Sequence, residues 1–368
     1  MKLFNNMLKK YFSPSENIGV RTNNFNIIRV IAASMVIYGH MSHIMGVPVY
    51  CLYGQAVSSL AVKILFVISG YLIMKSLMND MNFFRYIIRR SFRIFPGLIG
   101  VVLFAVLIVG PIFTNLPLHD YFLAKDTWTY LRNIILCPIY SLPGVFTNYT
   151  YPNAVNGSLW TLPVEFLLYL ILPILLWAFK KMRITKQGLF TVTVICIIIN
   201  CFKMYYYPYA RFVFYGSNWM DALAIIPYFF AGSFLALPEM KRIFNLQISL
   251  MLMIVTIIFQ LSAVKYEFIL CFILPYFVIS FATTERPVFS RWFEKTDFSY
   301  GLYLYGFIVQ QAVYHQLEKP HNPIFSLNIS FLICFSLTFV LAVISWYSIE
   351  KPMQNICKKI IAKSLKNS

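Results

Sequence analysis

A chain of 368 residues that is 59% hydrophobic and only 12% charged carries about half the charged share of an ordinary soluble domain. With a mean hydropathy of +0.69 it has more apolar side chain than a soluble core could hide, which excludes a water-soluble globular protein and requires lipid around it. The net charge of +18 needs no nucleic acid to explain it, because the basic residues crowd into short segments beside apolar runs.

Residues 1–24 carry Lys2, Lys9, Lys10 and Arg21 without an apolar stretch, so they read as a cytoplasmic tail rather than a cleavable signal. Beyond them, runs of roughly 20 apolar residues predict about ten spans. These cover 25–44, 57–76, 97–115, 159–179, 189–202, 219–237, 247–264, 267–284, 299–317 and 325–347. The second holds Lys63 and the fifth is short, which makes them the least regular. Segment 116–158, rich in Pro, Asn, Tyr and Thr, predicts a short helix or a re-entrant piece.

Charge orients the spans. With the N-terminus inside, the inner segments are 1–24, 77–96, 180–188, 238–246, 285–298 and 348–368, where most Lys and Arg fall. Outer loops hold Lys125, Arg132, Lys203, Arg211, Lys265 and Lys319, the positive-inside pattern. The expected fold is all-α: a polytopic transmembrane helix bundle with both termini cytoplasmic. It divides into a tail at 1–24, a membrane domain at 25–348 and a second tail at 349–368. No internal repeat of 20–50 residues is visible. Cys51, Cys137, Cys196, Cys201, Cys271, Cys334 and Cys357 are scattered without a CxxC pair, so they read as small buried hydrophobes and not as metal or redox ligands.

Ionisable groups inside a span are costly and mark function by default. Arg29 and His40 both lie in the first span, about 16 Å apart along a helix and close to one face of it. Arg29 falls near the cytoplasmic end and His40 in the outer half. Snorkelling for Arg29 and a carbonyl-bonded interfacial imidazole for His40 are equally open readings. His43, one turn on, could assist or simply be wet. Glu165, in Trp160-Thr161-Leu162-Pro163-Val164-Glu165, is expected near the outer face at the depth of His40. There it could orient or charge the imidazole, or merely balance a helix dipole. Arg85, Arg89 and Arg93 recur every four residues and share a face at the cytoplasmic boundary. A row of guanidinium forks suits phosphate, and a topology anchor or anionic-lipid contact is the other reading.

These residues resemble the acyltransferase-3 family of integral membrane acyltransferases. Arg29 and His40, ten residues between them, are followed by Phe66-Val67-Ile68-Ser69-Gly70-Tyr71 and then by Arg89-Arg90-Ser91-Phe92-Arg93-Ile94-Phe95-Pro96. The block from Trp160 through Glu165 to Tyr169 comes next. Phe298-Ser299-Tyr300-Gly301-Leu302-Tyr303-Leu304-Tyr305 and Ser348-Ile349-Glu350-Lys351-Pro352 complete the family order from about residue 23 to 352.

The resemblance implies a ten-helix bundle that moves an acyl group, commonly acetyl, from cytoplasmic acetyl-CoA or another acyl-CoA to a hydroxyl of an extracytoplasmic glycan. O-antigen, capsule or exopolysaccharide are the acceptors it implies, and the cytoplasmic (inner) membrane is the location. It makes His40 the essential histidine with Arg29 its partner, Glu165 the acid of its block and Arg89 and Arg93 the basic cytoplasmic motif. The reading built on it docks the donor on Arg85, Arg89 and Arg93 with Arg29 at the mouth, and lets Glu165 orient His40. Ser69 and Gly70 read as helix packing and pore shape, with Trp160 in the structural motif. Two departures stand out: Asn26 replaces an aspartate common three residues before the arginine, and Gly306 replaces a histidine common after Tyr-Leu-Tyr. An SGNH-type esterase domain, linked in some members, is not recognised here, so transfer is expected to finish within the membrane domain. A transporter or flippase for a lipid-linked glycan would use the same intramembrane charges to line a path, although such proteins often show repeats.

Overall fold

The protein is described here by a computed structural model covering residues 23–258, 262–284, 296–314 and 323–366. The tail to residue 22, most of segment 285–298 and Lys319 lie outside the described residues. Each of the ten expected spans coincides with a helix or helical stretch. They are α1 (Phe25–Met45), α2 (Val57–Asn79), α3 (Phe83–Phe104), α4 (Thr161–Lys181), α5 (Thr185–Tyr206), α6 (Ile226–Leu235), α7 (Leu246–Ile258), α8 (Ala263–Ala282), α9 (Ser299–Tyr314) and α10 (Pro323–Ser345). A last helix, α11 (Lys351–Lys366), continues α10 through a π-turn at Trp346–Glu350, so the expected C-terminal tail is helical as far as it is described. Among the described residues seven helical stretches are long and apolar enough to cross a membrane, α2 and α5 at 23 and 22 residues being two of them. The doubts attached to those two spans are thereby removed.

Local chemistry sets the boundaries. Gly46, at a φ of 67°, ends α1 in the left-handed conformation that a glycine adopts freely. Asn82 caps α3 by accepting from the Arg85 N–H at 3.0 Å. Beyond α3 the helix continues through a π-turn at Ala105–Val109 to Phe113. The carbonyl of Val106 in that turn is taken by the Tyr121 hydroxyl at 2.9 Å, which docks the short helices Leu118–Leu123 and Lys125–Thr129 against α3.

One end of the bundle gathers the turns and loops at residues 24, 80–82, 282–284 and 297, and is called here the basic end. Asn24 bonds there to the carbonyls of Phe281 and Ala282 at the end of α8. Two short hairpins lie at the opposite end: β1 (Cys51–Leu52) with β2 (Gln55–Ala56), and β3 (Val213–Phe214) with β4 (Ser217–Asn218). Among the long apolar helices α2 is the most buried, at 72% of its apolar window, whereas α5 and the stretch that holds α10 are 28% buried and form the outer wall. Close approach of α2 and α6 requires glycine on both sides. A Cβ at Gly70 would collide with the Phe229 carbonyl, and one at Gly232 with that of Val67.

Residues 151–160 are the re-entrant piece. They descend beside α9 without forming a helix, and α9 satisfies them. Gln311 donates to the carbonyls of Tyr151 at 2.7 Å and Ala154 at 2.9 Å. Deeper down, Asn156 donates to the Leu304 carbonyl at 2.8 Å and the Tyr303 hydroxyl to the Ser158 carbonyl at the same distance. Irregular backbone survives at membrane depth only when buried and paired in this way. Of the cysteines, Cys137, Cys271, Cys334 and Cys357 are buried as expected, whereas Cys51 is exposed in the first hairpin.

Candidate active site

Because 151–160 carry the chain inwards, α4 starts part-way down the bundle, and this moves Glu165. The expectation that Glu165 shares the depth of His40 is not met. Its carboxylate instead accepts from the Ser69 hydroxyl at 2.8 Å and from the Tyr169 hydroxyl, which meet each other at 2.9 Å. Ser69 therefore has a carboxylate partner that its sequence neighbourhood did not reveal. In the Ser69-Gly70 pair it is Gly70 that performs the packing, and Ser69 faces a cavity.

That cavity, about 100 Å³, lies towards the basic end and is lined by Arg29, Ser69, Arg90, Arg93, Glu165 and Tyr303 among others. Arg29 and Arg93 reach it from α1 and α3, and both donate to one oxygen of Asp297, at 3.0 and 2.6 Å. Asp297 precedes α9 and also accepts from the Ser299 hydroxyl and N–H. Burial alone would raise its carboxyl pKa. Arg93 and Arg29 outweigh that and bring it down to about 2.

The arginine row divides. Arg85 and Arg89 do not line the cavity; they hold Asp80 in the turn between α2 and α3. Arg85 makes a fork with both Asp80 oxygens, at 2.8 and 2.9 Å, and Arg89 donates to one of them. Arg85 first and Arg89 second hold the Asp80 carboxyl well below its usual range. In their place the cavity receives Arg90, which the sequence reading passed over. Arg90 has no carboxylate partner among the described residues, and its buried Nε has no hydrogen bond. The missed signal was the spacing of Arg90 and Arg93, three apart and therefore neighbours on a helix.

His40 lines neither this cavity nor the one at the opposite end. Its ring meets Phe307 edge-on, centroids 5.4 Å apart, and Phe307 in turn meets Tyr151 at 6.0 Å. His43 is exposed near the end of α1. Gly306, at the departure noted above, faces α1: a Cβ there would lie 2.8 Å from Ile37 Cγ1, so packing fills the position. The opposite-end cavity, about 610 Å³, lies among Tyr140, Tyr151, Trp160, Asn218 and Asp221. Trp160 faces that cavity and Thr161 the basic-end one. Between them the Thr161 and Tyr303 hydroxyls meet at 2.5 Å. Among the described residues no group of three or more His, Cys, Asp or Glu side chains is placed to hold a metal ion.

Residues 22–347 match the acyltransferase-3 family, whose shared unit is described as an acyltransferase domain. An "O-acetyl transferase" of Shigella phage Sf6 is 26% identical over 335 residues, covering 90% of this chain and 96% of that protein. "Nodulation protein 10" of Rhizobium leguminosarum bv. viciae is 24% identical over 378 residues, covering 95% of this chain and 98% of its own. No solved structure matches the chain. With the family matched over most of its length and a helix bundle to carry it, the chain belongs to the acyltransferase-3 family and is a multi-pass membrane acyltransferase.

Proposed function

We propose that the protein is an O-acetyltransferase of the cytoplasmic (inner) membrane, moving acetyl from cytoplasmic acetyl-CoA to a hydroxyl of a glycan on the far side. The observation that carries this reading is the pair of cavities of opposite character on either side of the Trp160–Thr161–Tyr303 layer. The basic-end cavity offers Arg90, a guanidinium without a carboxylate partner among the described residues that fits a donor with phosphate groups. At about 100 Å³ it admits a slender chain and not a nucleotide, so the phosphates meet the arginines at its mouth. The relative named as an O-acetyl transferase supports acetyl and a hydroxyl acceptor.

In this scheme Arg90 holds the donor's phosphate, while Arg29 and Arg93 keep the charged wall in place through Asp297. Glu165 fixes Ser69 and Tyr169 beside the donor and does not orient the histidine. His40, three-quarters of the way along α1 towards the opposite end, takes the proton of the acceptor hydroxyl as its oxygen bonds to the thioester carbonyl carbon. The carbon–sulfur bond breaks, and the proton passes to the departing thiolate to give the free thiol. Tyr303 and Phe307 stand between the two cavities and His40, so both side chains must yield as the acyl group passes.

Proteoliposomes given radiolabelled acetyl-CoA outside and a glycan acceptor inside test the scheme. Wild-type protein in the orientation with its basic end outward is expected to label the glycan. His40→Ala is expected to lower transfer by about 10²- to 10⁴-fold with an unchanged melting temperature. A wild-type rate in that variant overturns the role of His40. Movement of a lipid-linked glycan without any acyl-CoA would favour the transporter reading instead.

A further inference from the structure

The two cavities differ in charge as well as position. Three guanidinium groups line the basic-end cavity, whereas among the described residues no Lys, Arg or His lines the opposite-end one. Its walls are the rings of Tyr140, Tyr151 and Trp160, the amides of Asn153 and Asn218, and one carboxylate, Asp221. Its volume of about 610 Å³ falls in the range of sites for small organic ligands.

This is a chemistry with one well-fitting ligand class. Flat aromatic rings present large apolar faces with a polar edge, which match the C–H face of a pyranose. The Asn153 amide and a carboxylate beside them serve the hydroxyls at the ring's rim. Asp221 is held for that use: Asn218 donates to its Oδ2 at 2.7 Å, leaving Oδ1 without a protein donor among the described residues. The Tyr140 hydroxyl is fixed by the Gly216 carbonyl at 3.0 Å, which presents its ring rather than its oxygen. The site also adjoins the proposed base, because Phe307 stands between Tyr151 and His40.

Resting on the acceptor reading above, we infer that this cavity is the acceptor subsite and that it selects an uncharged sugar, with Asp221 acting against saccharides that carry a carboxylate. A uronic acid would bring a second negative charge beside Asp221, with no lining cation among the described residues to offset it. Discrimination then comes from repulsion of the wrong ligand as much as from attraction of the right one.

Saturation-transfer NMR on the purified full chain in detergent tests this. The probes are the methyl glycosides of glucose, rhamnose and N-acetylglucosamine, set against those of glucuronate and galacturonate. At least one neutral glycoside is expected to receive saturation at neutral pH, and the uronates roughly 10-fold less or weaker still. Asp221→Asn is expected to close most of that gap. Trp160→Ala and Tyr151→Ala are expected to weaken the neutral signal, and melting curves identify a variant that has lost its fold. The inference is overturned if no neutral glycoside binds, if uronates bind equally well, or if the gap persists in Asp221→Asn. The acyl-transfer assay separates it from the parent reading. Neutral sugars that bind but are never acetylated sink the acceptor reading, and acidic glycans acetylated in preference sink only the subsite.

Discussion

Two clusters of charge lie inside this bundle, and they are built on opposite plans. Near the opposite end, Lys63 of α2 pairs with Glu267 of α8 at 2.5 Å, with side chains 3% and 1% exposed. Asn200 donates to the same carboxylate at 2.9 Å and Tyr228 at 3.2 Å, and Gln55 bonds both members of the pair. One cation meets one anion, neither lines a described cavity, and four helices and a hairpin are tied together. In the basic-end cluster Asp297 serves two arginines that are 21% and 25% exposed, Arg90 has no carboxylate partner among the described residues, and a cavity adjoins. Both would be flagged as functional by a rule that treats every intramembrane charge alike. What separates them is whether the charges are satisfied by one another and whether a ligand could reach them. By that measure the Lys63 cluster has the form of a structural fastening, and the Arg90 cluster that of the proposed donor site.

Variants can break or sharpen that contrast. The largest stability effect belongs to the sealed pair. Lys63→Met leaves Glu267 buried without its cation and is expected to cost about 3–5 kcal/mol in detergent thermal melts, with most of it recovered in Lys63→Met/Glu267→Leu. A single variant that melts like wild type would show that the pair fastens nothing. Next comes Arg90→Ala, expected to lower kcat/KM for acetyl-CoA by about 10- to 100-fold, mainly through KM, while melting stays within a few degrees. Lysine there should rescue only in part, since it lacks the fork. A stability loss with unchanged KM would move Arg90 into the structural class.

Asp297→Asn lies between the two classes and is expected to cost about 1–3 kcal/mol. Its carboxyl, brought down to about 2 in the fold, adds stability that is complete above the ordinary carboxylate pKa and is lost as pH falls towards 2. The margin of wild type over Asp297→Asn should therefore hold from pH 7 to 5 and narrow below about 4. The smallest effect is that of Asp80→Asn, about 0.2–1 kcal/mol with transfer unchanged, because its ion pairs are partly exposed. A drop in transfer there would return Arg85 and Arg89 to the donor site.

Much of the fold was legible because each apolar run had only one way to satisfy its backbone in lipid. Gly70 was readable too, since a small residue in a span announces close packing. The depth of Glu165 was not, because it depends on how far residues 151–160 travel before α4 begins, and composition does not encode a path. Nor were the partners of the arginines. Asp80 and Asp297 stand in separate turns, and the latter lies more than two hundred residues from Arg93. The four-residue register of Arg85, Arg89 and Arg93 was real, yet a helix turns about 40° too far at each such step, so the row winds from Asp80 round to the cavity, which only Arg93 of the three lines.

Tyr303 gives the bundle one more property. Cavities that open on both faces of an energised membrane would, if joined, let protons run down their gradient. The Tyr303 hydroxyl, held between the Ser158 carbonyl at 2.8 Å and the Thr161 hydroxyl, pins one aromatic ring between the two cavities. Such a plug is an electrical insulator while the ring stays put and a doorway when it turns. In the proposed transfer that ring keeps the two cavities apart until an acyl group passes.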